Sequence, residues 1–195
     1  MSGQQVEDRV LILRLQSGDL DGLGELYDRY RLQIFRTAVA ITHDDAAAED
    51  ILQECFLRVH HYADRINLDL PLAPWLYRVT VNLSYTWSKR NKRYWTPIET
   101  LIDRLISPSK HTPEAAAEQS ELRDKIQHAI DSLPFSQRVV VILHYLNGLG
   151  LKEIADILEC PVGTVKSRLF HARATLKEQL GHEAVLLSDV VHGYT

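Results

Sequence analysis

Basic residues gather in an acid-free segment near the end of the chain, from Pro161 to Lys177. Basic side chains bind phosphates, and hydroxyl, imidazole and guanidinium groups can hydrogen-bond base edges in the DNA major groove. The segment therefore predicts a DNA-reading surface. Its candidate DNA contacts are Thr164, Lys166, Ser167, Arg168, His171 and Arg173.

Two short helices joined by a tight turn are predicted to position these residues. Apolar residues recur with helical spacing on both sides of a Cys-Pro turn, and a small alanine allows the helices to cross closely. The residues that form this pattern are Ile154, Ala155, Leu158, Val165 and Leu169. From about Leu151 to Leu176 the pattern predicts a helix-turn-helix, whose second helix enters the major groove. The alternative is a helical hairpin with a solvated basic face.

A second basic segment ends a helix that is predicted from about Trp75 to Arg93. This helix follows a loop, Asn67 to Pro74, in which prolines act as breakers. Basic, aromatic and amide side chains along one helix side suit single-stranded nucleic acid better than an intact duplex. The candidate contacts are Trp75, Arg78, Asn82, Lys89, Arg90 and Arg93. For Trp75, Tyr77 or Trp87 taken singly, a place in the core is the default interpretation.

A polar face lies on the helix before that loop. Asp50, Gln53 and Glu54 project opposite an apolar stripe that runs from Ile51 to Tyr62. A solvated surface is the default interpretation of such a face, and a docking surface for a partner is the alternative.

The elements that carry these residues predict an all-α fold with two small helical domains joined by a flexible linker. Helical periodicity begins at Leu23, and Asp44 or Asp45 can cap the next helix. We expect a first domain over 6–95 and a proline-containing linker over 96–120. A second domain over 121–181 contains the helix-turn-helix, and a tail covers 182–195.

Composition limits the function classes. The 195 residues carry a net charge of -4, so the two basic segments stand out from an acidic remainder. There is no apolar run of the length that a membrane span needs and no CxxC spacing for the two cysteines. Met1 to Asp8 is polar and acidic, so we do not expect a signal peptide. These features predict a cytoplasmic protein with buried structural thiols.

Motifs of catalysis are not found in the sequence. It has no glycine-rich phosphate loop, no HExxH and no nucleophile elbow. His60 and His61 are adjacent, so they do not form a metal pair on one helix face. We therefore predict that the chain is not an enzyme and that it uses no metal or cofactor.

Three of these segments, in this order, resemble the extracytoplasmic-function RNA polymerase sigma factors of the sigma-70 family. Asp50 to Phe56 resembles the family's polymerase-docking helix, and Trp75 to Asn82 resembles its −10 recognition and promoter-melting helix. Gly163 to Arg168, followed by Ala172-Arg173, resembles its −35 reading helix. The resemblance covers about Asp19 to Leu180. His171 stands where the family often has arginine.

The resemblance implies a transcription initiation factor with promoter DNA, core RNA polymerase and an anti-sigma factor as partners. Asp50, Gln53 and Glu54 would bind the polymerase β′ clamp helices, and the second domain would lie on the β flap. Asn82 and the loop from Asn67 to Pro74 would capture a flipped base of the −10 element. The alternative function is a stand-alone helix-turn-helix regulator that binds duplex DNA. The promoter sequence, the inducing signal and the roles of the linker and tail stay open.

Overall fold

Helices make up the regular structure in the computed structural model, which describes residues 3–90 and 125–181. No strand is found in these two ranges, so the expected all-α fold is confirmed. The chain folds into two compact units. The predicted linker 96–120 and tail 182–195 lie outside the described residues, and the domain limits stay predictions.

The first unit contains four α-helices within 3–90. They are α1 (Gly3–Gln16), α2 (Asp21–Thr42), α3 (Asp45–His61) and α4 (Leu72–Arg90), with a short 3-10 turn at Ala63–Arg65. The α2 stripe that the sequence predicts is largely correct, because Leu26, Tyr30, Ile34, Ala38 and Ile41 are buried.

The apolar stripe of α3 is also buried, except at its end. Ile51, Leu52, Cys55, Phe56 and Val59 are in the core, whereas Tyr62 is 37% exposed, so its predicted place in the stripe is wrong. The predicted cap is confirmed, since the Asp44 carboxylate accepts a hydrogen bond from the Ala47 N–H at 2.8 Å.

Buried polar contacts join α1 to α2. The Tyr30 hydroxyl and an Arg29 Nη group each donate to the Asp8 carboxylate at 2.6 Å, and Asp8 is buried. At Gly22, an added Cβ would lie 2.6 Å from the Leu11 carbonyl oxygen. The two helices therefore approach too closely there for any larger residue.

The start of α4 differs from the prediction. The helix begins at Leu72 rather than near Trp75, and Pro74 lies in its first turn instead of ending the loop before it. A proline is tolerated there because the first N–H groups of a helix have no partner within it. Leu76, Tyr77 and Val79 are buried, whereas Leu83 is half-buried.

The second unit combines helices of seven or eight described residues with one helix of 19 residues. The chain is helical over 125–132, here named α5, and continues with α6 (Phe135–Val141), a π-helical turn (Ile142–Leu146), α7 (Leu151–Ile157) and α8 (Val162–Leu180). Gly148 has a φ of +68° after the π-helical turn, and Gly181 has a φ of +55° after α8. Both glycines lie where the sequence predicts helix ends.

The buried Arg138 connects α6 to the end of α5. Its Nη2 group donates to the carbonyl oxygens of Asp131 and Leu133 at 2.7 and 3.2 Å. A cation at the C-terminal end of a helix is favourable, although burial lowers the pKa of this guanidinium.

None of the helices in 3–90 and 125–181 is long and apolar enough to cross a membrane.

Candidate nucleic-acid and partner interfaces

The predicted helix-turn-helix is formed by α7 and α8. Ile154 and Val165 are fully buried, and Ala155 and Leu169 are each 4% exposed. Leu158, which was also expected in this core, is only half-buried and directly follows the end of α7 at Ile157. Glu159 has a φ of +50°, so the chain reverses through a left-handed residue before α8 begins.

The predicted DNA contacts on α8 are mostly exposed. Lys166, Ser167, His171 and Arg173 are exposed, whereas Thr164 and Arg168 are half-buried. Arg168 Nη1 lies 4.0 Å from the Cys160 sulfur, so this guanidinium is directed back toward the turn. Arg168 is therefore less accessible than its sequence position led us to expect.

Phe170 is a surface residue that the sequence reasoning missed. It is 70% exposed on α8, and its ring makes an edge contact with His171 at a centroid distance of 5.6 Å. Its spacing in the sequence could have revealed it. Phe170 follows Lys166 by four residues and Ser167 by three, so it lies on their side of the helix. An exposed phenylalanine on this side can contact the methyl group of thymine.

Arg173 has a partner from outside the helix-turn-helix. Its Nε donates to the Tyr145 hydroxyl at 2.6 Å, and its Cζ lies 5.4 Å from the centroid of that ring. Tyr145 belongs to the π-helical turn. Sequence reasoning did not single out Tyr145, because no spacing rule connects residues that are 28 positions apart.

The exposed side of α4 has a different chemistry. Asn82, Tyr85, Lys89 and Arg90 are exposed, and Lys89 Nζ lies 4.7 Å from the centroid of the Tyr85 ring. Trp75 and Arg78 are half-buried, whereas Tyr77 is in the core. Arg93, the last predicted contact of this helix, lies outside the described residues.

A cavity of about 280 Å³ lies beside the first turns of α4. Two cations and two aromatic residues are among its lining residues, which are Arg58, Tyr62, Arg65, Ile66, Trp75 and Val79. The Arg65 guanidinium lies 5.7 Å from the centroid of the Tyr62 ring. Asn82 and the loop 67–74 are not among its lining residues, and their role in capturing a flipped base stays a prediction.

The polar face of α3 includes one apolar residue. Asp50 and Gln53 are exposed, and the half-buried Glu54 forms an ion pair with Arg58 Nε at 2.8 Å. Leu57 is 64% exposed on the same side, three residues after Glu54. Single exposed leucines are common on protein surfaces, so Leu57 adds an apolar group to this face and does not by itself mark a binding site.

The two cysteines have different surroundings. Burial raises the pKa of the Cys55 thiol to about 12, whereas Cys160 is half-buried in the turn before α8. The predicted burial is thus correct for Cys55 and only partly correct for Cys160. No group of His, Cys, Asp or Glu within 3–90 and 125–181 is arranged to hold a metal ion.

Comparison with protein families assigns the two units. Residues 26–94 match the model of sigma-70 region 2, and residues 123–176 match that of sigma-70 region 4. The chain is 32% identical over 177 residues to the ECF RNA polymerase sigma factor SigW of Bacillus subtilis, covering 87% of this chain and 94% of the relative. It is 30% identical over 186 residues to the ECF sigma-E factor of Escherichia coli, covering 91% and 96%.

The chain therefore belongs to the extracytoplasmic-function sigma factors of the sigma-70 family. It is a bacterial transcription initiation factor rather than a stand-alone helix-turn-helix regulator.

Solved structures share the fold. CnrH, solved in complex with the cytosolic domain of CnrY, has a TM-score of 0.67 and 23% identity, covering 89% of this chain and 97% of that chain. The sigma factor RpoE of Bartonella quintana, solved with the anti-sigma factor NepR, has a TM-score of 0.59 and 22% identity, covering 80% and 96%.

Proposed function

We propose that this sigma factor divides promoter recognition between α8, which reads the −35 element as duplex DNA, and the first turns and exposed side of α4, which bind the melted −10 element. A third surface, the polar face of α3, binds core RNA polymerase. The observation that carries this proposal is the chemical difference between the two DNA-facing helices. The α8 helix combines cations with side chains that fit the major groove of a duplex. The α4 helix combines cations with aromatic rings.

The α8 surface suits a major groove. Lys166, Ser167 and His171 are exposed in the first half of the helix, which is the part that meets base edges in helix-turn-helix proteins. Lysine recognises guanine, and the exposed Phe170 can contact a thymine methyl group. Thr164 lies in the first turn, where a hydroxyl group and backbone N–H groups suit a phosphate.

The α4 surface suits unpaired bases. The cavity beside Trp75 is large enough for one flipped base, and Trp75 and Tyr62 provide rings for stacking while Arg58 and Arg65 provide positive charge. Farther along α4, Asn82 can hydrogen-bond a base, and Lys89 and Arg90 can bind phosphates. Flipping a base costs a few kcal/mol of stacking, which such contacts offset.

The α3 surface suits a protein partner. Asp50, Gln53 and Glu54 form the polar part of this surface and Leu57 its apolar centre. A central apolar residue surrounded by polar groups is the usual organisation of a binding interface. We assign this surface to the β′ clamp helices of core polymerase, with the second domain on the β flap.

The remaining partners follow from the family. CnrH, which shares this fold, was solved with the cytosolic domain of CnrY, and the sigma factor RpoE of Bartonella quintana was solved with the anti-sigma factor NepR. We propose that an anti-sigma factor also binds this chain. We further propose that the protein acts in the cytoplasm and has no catalytic activity of its own, because it confers specificity on polymerase.

Run-off transcription with core polymerase from the same organism tests the proposal. Adding the protein is expected to direct initiation to specific promoters, and a failure to do so would contradict the proposed function.

Lys166→Ala should weaken −35-dependent initiation and leave core binding intact. Glu54→Ala should weaken core binding and leave DNA selection intact. Lys177→Ala is the matched control for Lys166→Ala, because Lys177 is also an exposed lysine of α8 but lies in its last turn.

A further inference from the structure

The π-helical turn at the end of α6 contains a residue that contacts the helix-turn-helix. The Asn147 N–H donates to the Ile142 carbonyl oxygen at 3.2 Å, five residues back rather than four. Such turns occur often at functional sites. Tyr145 is one of the five residues of this turn.

Tyr145 contacts Arg173 through both its hydroxyl and its ring. The hydroxyl accepts a hydrogen bond from Arg173 Nε at 2.6 Å, and the guanidinium carbon is 5.4 Å from the ring centroid. Tyr145 is half-buried, whereas Arg173 is exposed. The anchored tyrosine therefore restricts a long side chain that solvent would otherwise leave free to change rotamer.

The contact with Tyr145 leaves the Nη groups of Arg173 available. Among the residues that the structure describes, Arg173 makes no other hydrogen bond or ion pair. Two parallel N–H groups of a guanidinium match two oxygens of a phosphate. A guanidinium that is held at Nε is thus oriented before DNA arrives, and it loses less conformational entropy on binding.

The position of Arg173 along α8 favours a phosphate over a base. Arg173 is eleven residues after Val162, so it lies about 16 Å along the axis from the start of the helix. The base-reading residues of a helix-turn-helix lie near the N-terminal end. Residues farther along contact the backbone, where a bidentate arginine fixes the register of the helix.

We propose that Tyr145 is a positioning residue for Arg173, and that the pair forms a preset clamp for one backbone phosphate next to the −35 element. The inference rests on the proposed reading of duplex DNA by α8. It adds a residue outside the helix-turn-helix to the DNA-binding machinery and gives the π-helical turn a function.

A double-mutant cycle tests the clamp. The full-length chain is bound to core polymerase, and the probe is a duplex that this holoenzyme selects from a randomised pool. Binding is measured over a range of salt concentrations for wild type, Tyr145→Phe, Arg173→Ala and the double variant. Tyr145→Phe removes only the hydroxyl and keeps the ring, so the packing of the turn is retained.

Arg173→Ala is expected to weaken binding about tenfold and to reduce the slope of log K against log salt by about 0.9, the value of one phosphate contact. Tyr145→Phe is expected to weaken binding about threefold, as the loss of one modest hydrogen bond does. In the Arg173→Ala background, Tyr145→Phe should have no further effect. Hydrogen exchange of α6 to α8 should be unchanged in Tyr145→Phe.

Two results would overturn the clamp. One is an equal loss for Tyr145→Phe in both backgrounds, since that would show a role in folding rather than in positioning Arg173. The other is wild-type binding by Tyr145→Phe while Arg173→Ala is impaired. Lys166→Ala separates these failures from a failure of the proposed function, because an unaffected Lys166→Ala would mean that α8 does not read this duplex.

Discussion

The two helices that we propose face DNA, α4 and α8, differ in the non-basic side chains that accompany their cations. On α4 the cations are next to aromatic rings, with Lys89 over Tyr85 and a cavity beside Trp75. On α8, Lys166 is accompanied by a hydroxyl, an imidazole and one exposed phenylalanine, whereas the ring beside Arg173 is that of Tyr145, which belongs to the π-helical turn. Rings stack on unpaired bases, whereas small polar groups fit the groove of a duplex. Each helix is therefore suited to a different state of DNA.

The starts of α3 and α8 differ as well. In α3 the first turn is capped by the Asp44 carboxylate, whereas α8 begins after Pro161 with no side-chain cap. A capping carboxylate would repel a DNA phosphate, and an uncapped helix start with Thr164 in its first turn leaves N–H groups for one. The sequence thus stabilises the helix that we assign to protein binding and leaves the DNA-reading helix open at its start.

The largest effect, on the free energy of unfolding, is expected from shortening a buried isoleucine in the core of either unit. Ile154→Ala and Ile34→Ala are a matched pair, because Ile154 is 0% and Ile34 1% exposed. Each should cost about 2–5 kcal/mol in the free energy of unfolding of its own unit. Hydrogen exchange of the full chain should increase in α5 to α8 for Ile154→Ala and in α1 to α4 for Ile34→Ala. Equal increases in both units for either variant would contradict separate cores.

The next effect concerns the aromatic chemistry of α4. Trp75→Ala should reduce permanganate reactivity of promoter thymines in the holoenzyme complex, because loss of one stacked base costs about 1–3 kcal/mol. Binding to the −35 duplex should be unchanged. Trp87→Ala is the matched control, since Trp87 is also half-buried on α4 but does not line the cavity. If both variants melt DNA equally well, the cavity has no role in capturing a base.

A smaller effect is expected at the capped helix start. Asp44→Ala should lower the free energy of unfolding of the first unit by about 1 kcal/mol, since the Ala47 N–H loses its acceptor. Asp44→Asn should keep most of this stability, because the asparagine side chain also provides a capping oxygen. Urea unfolding measures the free energy of unfolding of both variants. If Asp44→Asn is as unstable as Asp44→Ala, the cap does not account for the loss.

The smallest effect compares the two cysteines. Iodoacetamide at pH 8 should label Cys160 in the native chain and leave Cys55 unlabelled, because burial raises the pKa of Cys55 to about 12 and excludes the reagent. Above the ordinary thiol pKa of about 8.5, the unfolded chain releases this proton and the folded chain keeps it, so the first unit loses stability as pH rises. Rapid native labelling of Cys55, detected by mass spectrometry, would contradict this.

Helical periodicity predicted α2, the body of α4 and the helix-turn-helix, because each has a continuous apolar stripe. It did not predict α1, in which the buried Leu11, Ile12 and Leu15 lie beside the exposed Val10 and Leu13. When apolar residues lie on several sides of a helix, the helical periodicity is lost from the sequence. Only the packing of α1 against α2 then decides which positions are buried and which are exposed.

The DNA-facing residues were predictable by type but not by environment. Lys166, Ser167 and His171 are exposed as expected, yet Arg168 is half-buried near Cys160 and Phe170 is exposed. Residue type sets the charge and the hydrogen-bonding groups of a side chain. Its exposure depends on which other elements cover it, and those elements are not adjacent in sequence.

The amino-acid sequence by itself determined the all-α class, the helix-turn-helix and the two kinds of DNA-facing chemistry, because periodicity, caps and charge are local properties of the chain. Only the tertiary structure decided that Trp75 shares a cavity with Arg58 and Arg65, and that Tyr145 holds Arg173. These contacts join residues that are distant in sequence. They exist only after the cores have brought the helices together.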